Sequence, residues 1–207
     1  MRTKLIHWLF PSALLLVLAV STVAPAHAQV THAGSQQGLP LVIGGGYSNF
    51  ATDYGPAGTR MSAIAAWADY YLQDVAPKIS GLGIEIEARD LNYGAPFRLR
   101  QTTGMAGVIY EWSHYYRFRP YGKFIAGQGS LDFPNNGTIT NPYTHDTYLV
   151  TAPGGGVDIR VLPHVFVRAE YQYQEWHQVL GPRNLTPNGI TVGASWDFRT
   201  PRQPVGP

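Results

Sequence analysis

The chain has 207 residues, enough for one ordinary domain, and only 14% of them are charged against roughly 25% in an average soluble domain. Its 23 glycines, 13 tyrosines and 5 tryptophans argue against a helical protein, because Gly weakens helix interiors and aromatic rings favour strands; the rings also argue against disorder. The absence of cysteine excludes disulfides, thiol catalysis and cysteine-based zinc sites, and a formal net charge of +2 gives no electrostatic ground for nucleic-acid binding.

Residues 1–28 read as a cleaved secretory signal. Arg2 and Lys4 form its positive end, Ile6 to Val20 its apolar stretch, and Ala26-His27-Ala28 an A-x-A cleavage site. Removing Arg2 and Lys4 takes the 15 basic residues to 13, equal to the 13 acidic ones. No Cys follows the site, which excludes a lipoprotein anchor. No later run reaches the ~18 apolar residues of a spanning helix. A mature chain that crosses a membrane must then do so as a closed barrel, since lipid offers no partner to unpaired backbone groups.

Residues 29–39 read as a polar, flexible arm. Segments of strand composition follow at about 41–50, 60–72, 80–90, 99–112, 119–130, 147–160, 164–176 and 187–198. Each is long enough to cross a bilayer when tilted, which takes ~9–11 residues. The Ala-rich stretch Met61 to Leu72 also fits an amphipathic helix by pattern; its strand neighbours and Tyr70-Tyr71 favour a strand. The second, fourth and sixth connections (about 73–79, 113–118 and 161–163) are shorter on average than the third, fifth and seventh (about 91–98, 131–146 and 177–186). Short turns on one side and long polar loops on the other suit an outer-membrane barrel with its long loops outside.

Alternation of side chains separates two faces. In Leu82 to Arg89, Leu82, Ile84, Ile86 and Ala88 share one face with Gly83, Glu85, Glu87 and Arg89 opposite. In Val165 to Gln174, Val165, Val167, Ala169, Tyr171 and Tyr173 oppose Phe166, Arg168, Glu170, Gln172 and Gln174; Ile190 to Phe198 divides in the same way. A soluble lipocalin-like barrel would turn the apolar face inward. Aromatics near strand ends (Tyr70, Tyr71, Tyr110, Trp112, Tyr115, Tyr116, Tyr171, Tyr173, Trp176, Trp196 and Phe198) favour the membrane instead, as interfacial rings. The polar face then lines the lumen, and Glu85, Glu87, Arg89, Lys123, Asp158, Arg160, Arg168 and Glu170 are expected to form an interior charge network. Pairing is close to obligatory there, since an isolated buried charge costs several kcal/mol.

Three stretches carry a family resemblance: Arg119 to Gly127 opening a strand, Val161 to Tyr171 spanning a tight turn, and Gly189 to Phe198 as a closing strand. The chain resembles the small OmpA-type outer-membrane β-barrel proteins over about 40–198. The resemblance implies an all-β, eight-stranded, antiparallel up-and-down transmembrane barrel with a filled polar interior. It implies a monomer in the outer membrane of a Gram-negative bacterium, with outer-membrane lipid and the barrel-assembly machinery as partners. Two features depart from the family. A Pro-rich tail, 199–207, follows Phe198 where many members end on an aromatic, and a tail this short is not expected to form a second domain of the kind that grips peptidoglycan.

Chemistry is sparse. His32, His114, His145, His164 and His177 are scattered, without a metal-binding spacing, so no metal or cofactor is expected. Ser113 and His114 are adjacent on a strand end and would point to opposite faces, which is wrong for a nucleophile and its base. Gly44 to Gly46 and Gly154 to Gly156 lack the context of a phosphate loop and read as close approaches within strands. The longest loop, 131–146, carries turn signals and is a candidate surface for an extracellular ligand. The expected function is therefore non-enzymatic, structural or surface-interacting. A narrow pore is the alternative, ahead of a lipid A-modifying enzyme or a periplasmic ligand binder.

Overall fold

The computed structural model describes residues 38–53, 59–72, 81–92, 100–112, 117–132, 145–179 and 182–199. The expected signal peptide, most of the arm and of the tail, Ser113 and His114, Tyr115 and Tyr116, and most of loop 131–146 lie outside these residues.

Alternation drives the chain into β1 (Leu41–Ala51), β2 (Arg60–Tyr71), β3 (Leu82–Asn92), β4 (Arg100–Glu111), β5 (Phe118–Asp132), β6 (His145–Arg160), β7 (Val165–Tyr173), β8 (Glu175–Trp176) and β9 (Asn188–Asp197). The short β8 continues β7 past Gln174, so the wall has eight staves. The Ala-rich segment is strand β2, with Met61, Ala63, Ala65, Trp67, Asp69 and Tyr71 alternating inward. The expected strand 164–176 is interrupted at Gln174, and β5 and β6 each run two residues further towards their shared loop than expected.

Every neighbour pair is antiparallel, and β9 pairs with both β7 and β1, so the sheet closes on itself. Cross-strand partners lead from Leu41 through Tyr70, Ile84, Val108 and Phe124 to Pro153. Continuing the β6–β7 register one pair to Tyr173, they pass through Asn188 back to β1 at Ala51. The register thus climbs from residue 41 to residue 51, a shear of 10, in one circuit. For eight strands this shear tilts each by about 43° from the barrel axis, inside the ~35–45° of closed barrels. Such a barrel has an interior just wide enough for side chains to fill.

One end, the turn end, carries the β2–β3, β4–β5 and β6–β7 connections. The last of these is the tight turn 161–164, closed by Val165 N donating to Leu162 O at 3.2 Å. The other end, the loop end, carries β1–β2, β3–β4, β5–β6 and β8–β9. Two glycines make room inside. A Cβ on Gly44 would lie 2.4 Å from the Trp67 ring, and one on Gly129 would lie 2.3 Å from the Trp176 ring. Both indoles lie flat against bare backbone, and any larger residue would displace them.

Candidate functional site: the interior and the outer wall

The interior fills in layers along the axis. Nearest the turn end, Arg119 Nη1 reaches Asp197 Oδ2 at 2.7 Å. Arg199 Nε reaches Asp197 Oδ1 at 2.8 Å and its Nη2 reaches Glu111 Oε2 at 3.0 Å. The Arg199 guanidinium also covers the Tyr71 ring at 4.1 Å. The first residue of the expected tail thus closes this end, where burial, which disfavours its charge, is outweighed by Glu111 and Asp197.

Deeper in, Arg168 lies between the rings of Trp67 (4.8 Å) and Tyr121 (4.6 Å). Its Nη2 donates to Asp69 Oδ2 at 2.7 Å, its Nε to Asp158 Oδ1 at 2.9 Å, and its Nη1 to Glu85 Oε2 at 3.3 Å. Glu85 bridges to the next layer, where Lys123 Nζ stands 2.6 Å from Glu85 Oε1, 2.8 Å from Glu87 Oε2 and 2.8 Å from Glu170 Oε2. Tyr121 donates to Glu170 Oε2 at 2.7 Å, and Arg89 Nη2 lies 3.1 Å from Glu87 Oε1. Oxygens of Glu85, Glu87 and Glu170 come within 4.8 Å of one another, a spacing a metal ion could use, but the Lys123 ammonium stands among them as the resident cation.

From Glu87 an amide relay climbs the β7 side. Gln172 Nε2 donates to Glu87 Oε1 at 3.3 Å, Gln174 Nε2 to Gln172 Oε1 at 3.0 Å, and Trp176 Nε1 to Gln174 Oε1 at 3.1 Å. Beyond it the filling turns apolar. Met105, Ile125, Leu131, Tyr148, Val150, Ala152, Trp176 and Val179 form one buried cluster, and Phe50, Met61, Ala63 and Leu91 a second. The interior is thus ionic in its turn-end half and mainly apolar in its loop-end half, where Gln101 and Gln174 are buried among the apolar side chains.

Of the eight charged residues expected inside, the structure brings Glu85, Glu87, Arg89, Lys123, Asp158, Arg168 and Glu170 together. Arg160 is a correction. As the last residue of β6 it stands at the rim, and its guanidinium donates to the turn carbonyls of Leu162 and Pro163, the latter at 3.0 Å. Sequence reading missed Asp69, Tyr121, Glu111, Arg119 and Arg199 as members. The period of two in β2 carried the signal for Asp69, four inward positions beyond Met61. Arg199 pairs locally with Asp197, but its second partner, Glu111, stands on a strand end far away in sequence.

The outer wall is the reverse face. Ile43, Ile64, Ile84, Ile86, Val108, Phe124, Ile190 and Val192 are all exposed, an apolar belt of the kind that soluble monomers rarely carry. Its loop-side limit is polar, at the outward positions Asn49, Ser62, Asp90, Thr102, Gln128, Thr151, Glu175 and Asn188. Exposed Tyr70, Trp112, Phe118, Trp196 and Phe198 ring the turn end; Tyr47, Tyr171 and Tyr173 lie towards the polar limit. Tyr71 and Trp176, expected among the interfacial rings, point inward and are 1% exposed. Each sits on the inward phase of its strand, and Trp176 has a polar partner there. Replacing Ile86 with Arg is expected to destabilise the barrel by about 2–4 kcal/mol in lipid, as a charge on a lipid face does. Equilibrium unfolding in vesicles checks this; an unchanged stability would mean that the belt does not face lipid.

A family model described as outer membrane protein beta-barrel domain matches residues 12–198. No curated protein sequence matches the chain. Among solved structures, it is similar to Neisserial surface protein A at 16% identity, covering 77% of this chain and 97% of that one, with a TM-score of 0.63. It is similar to Ail of Yersinia pestis at 15% identity, 76% and 97% coverage and a TM-score of 0.55. OprG of Pseudomonas aeruginosa follows at 13% identity, 79% and 98% coverage and a TM-score of 0.50. At these identities the likeness is one of fold.

Proposed function

The chain belongs to the outer membrane protein beta-barrel domain family, and we propose that it serves there as a closed, non-enzymatic barrel acting through the surface its loops present outside the cell. The observation that carries this reading is the Lys123-centred network, which joins side chains of β3, β5 and β7 across the lumen. These polar groups are spent on one another rather than held towards a cleft, which suits a scaffold better than a pore or an enzyme.

In this reading residues 1–28 direct export and are removed after Ala28, and the barrel-assembly machinery inserts the monomer into outer-membrane lipid. The loop end faces out, because its connections are the longer on average. Loop 131–146 then stands at the tip of the longest hairpin, β5–β6, as the candidate contact for an extracellular ligand. The test is single-channel recording of the purified protein in planar bilayers. No steady conductance is expected; a stable open level would replace this reading with that of a narrow pore.

A further inference from the structure

Arg89 lies wholly inside the wall, its side chain 0% exposed. Only Nη2 is engaged, by ion pairing with Glu87 and Glu170. Its Nε and Nη1 have no hydrogen-bond acceptor among the described residues. Thr103 stands directly opposite Arg89 in the β3–β4 register, is 1% exposed, and its Oγ1 is likewise unpartnered. The Phe50 ring lies 4.5 Å from the Arg89 guanidinium carbon, and Met61, Ala63 and Leu91 pack with Phe50. Arg89 therefore sits at the seam between the ionic and apolar halves, with donors that neither half satisfies.

Buried donors on a charged group are rarely left unmet, and the ordinary remedy is an enclosed water with two to four polar partners. We infer that the seam is a binding site for ordered water, held by Arg89 Nε and Nη1 and by Thr103 Oγ1. A small anion would satisfy the same donors. The surroundings oppose it, since Asp69, Glu85, Glu87, Asp158 and Glu170 outnumber Arg89, Lys123 and Arg168 in the network. A neutral acceptor that can also donate to Thr103 fits best. The site completes the closed-interior reading and rests on it: the water links an ionic layer to an apolar one and takes up the donors of Arg89 that the ion pairs leave unmet.

The experiment is a high-resolution crystal structure of the full chain and of Thr103→Val and Thr103→Ser, with a second wild-type crystal soaked in bromide. An isolated density peak within hydrogen-bond distance of Arg89 and Thr103 is expected in wild type, kept in Thr103→Ser and lost in Thr103→Val. Direct bonds from Arg89 Nε and Nη1 to protein acceptors would overturn the inference. So would an anomalous bromide peak at the site, which would make it an anion site. A file of waters running from the site to either mouth would leave the site standing while overturning the closed interior.

Discussion

Replacing Lys123 with Met is expected to lower the unfolding free energy of the barrel by about 3–5 kcal/mol, the cost of removing one partner from a buried ion cluster. Among the described residues the ammonium is the single cation shared by all three of Glu85, Glu87 and Glu170. Without it, three carboxylates within 4.8 Å of one another keep only Arg89 and Arg168 at their edges. Met fills nearly the same volume, so loss of packing is a small part of the effect. A second change separates charge from shape: Lys123→Met combined with Glu85→Gln and Glu170→Gln is expected to recover most of the loss, because the repulsion goes with the carboxylates. Urea unfolding in lipid vesicles, followed by tryptophan fluorescence, measures both. A Lys123→Met barrel as stable as wild type would show that water screens the carboxylates, and so that the interior is open.

The faces of the wall were legible in sequence because strand periodicity is local. Ile84, Ile86, Val165 and Val167 go to one side and Glu85, Glu87, Arg168 and Glu170 to the other whatever the register, since a period of two needs no knowledge of partners. Which charges meet is a matter of register and shear, and those are properties of the closed sheet. Lys123 on β5 reaches Glu85 and Glu87 on β3 across the intervening β4, a contact that spacing along the chain does not encode. Trp176 turns inward because it continues the alternation of Arg168, Glu170, Gln172 and Gln174, a local signal, while its polar partner there is Gln174, which accepts from its indole. Arg160 fails as an interior charge because alternation assigns its face but not its height, and its height is the rim.

The two halves of the interior lead to a prediction about conductance that either half alone would not give. Arg168→Ala removes the cation shared by Asp69, Glu85 and Asp158 and empties the slot between Trp67 and Tyr121. If the ionic network were the whole seal, this change would open the barrel. The loop-end half, however, is closed by an apolar cluster in which Trp176 is the largest side chain, lying across Gly129 and packed on Tyr148. An ion entering that stretch would trade its hydration for few polar groups, Gln101 and Gln174 among them, and would face a desolvation barrier of several kcal/mol. Arg168→Ala and Trp176→Ala are therefore each expected to give no steady conductance in planar bilayers, and the double variant to give a stable open level. That level should be cation-selective, because Asp69, Glu85 and Asp158 are left lining the path without their guanidinium. Full conductance from Arg168→Ala alone would show that the apolar cluster is no barrier, and silence from the double variant would show a further seal between the two.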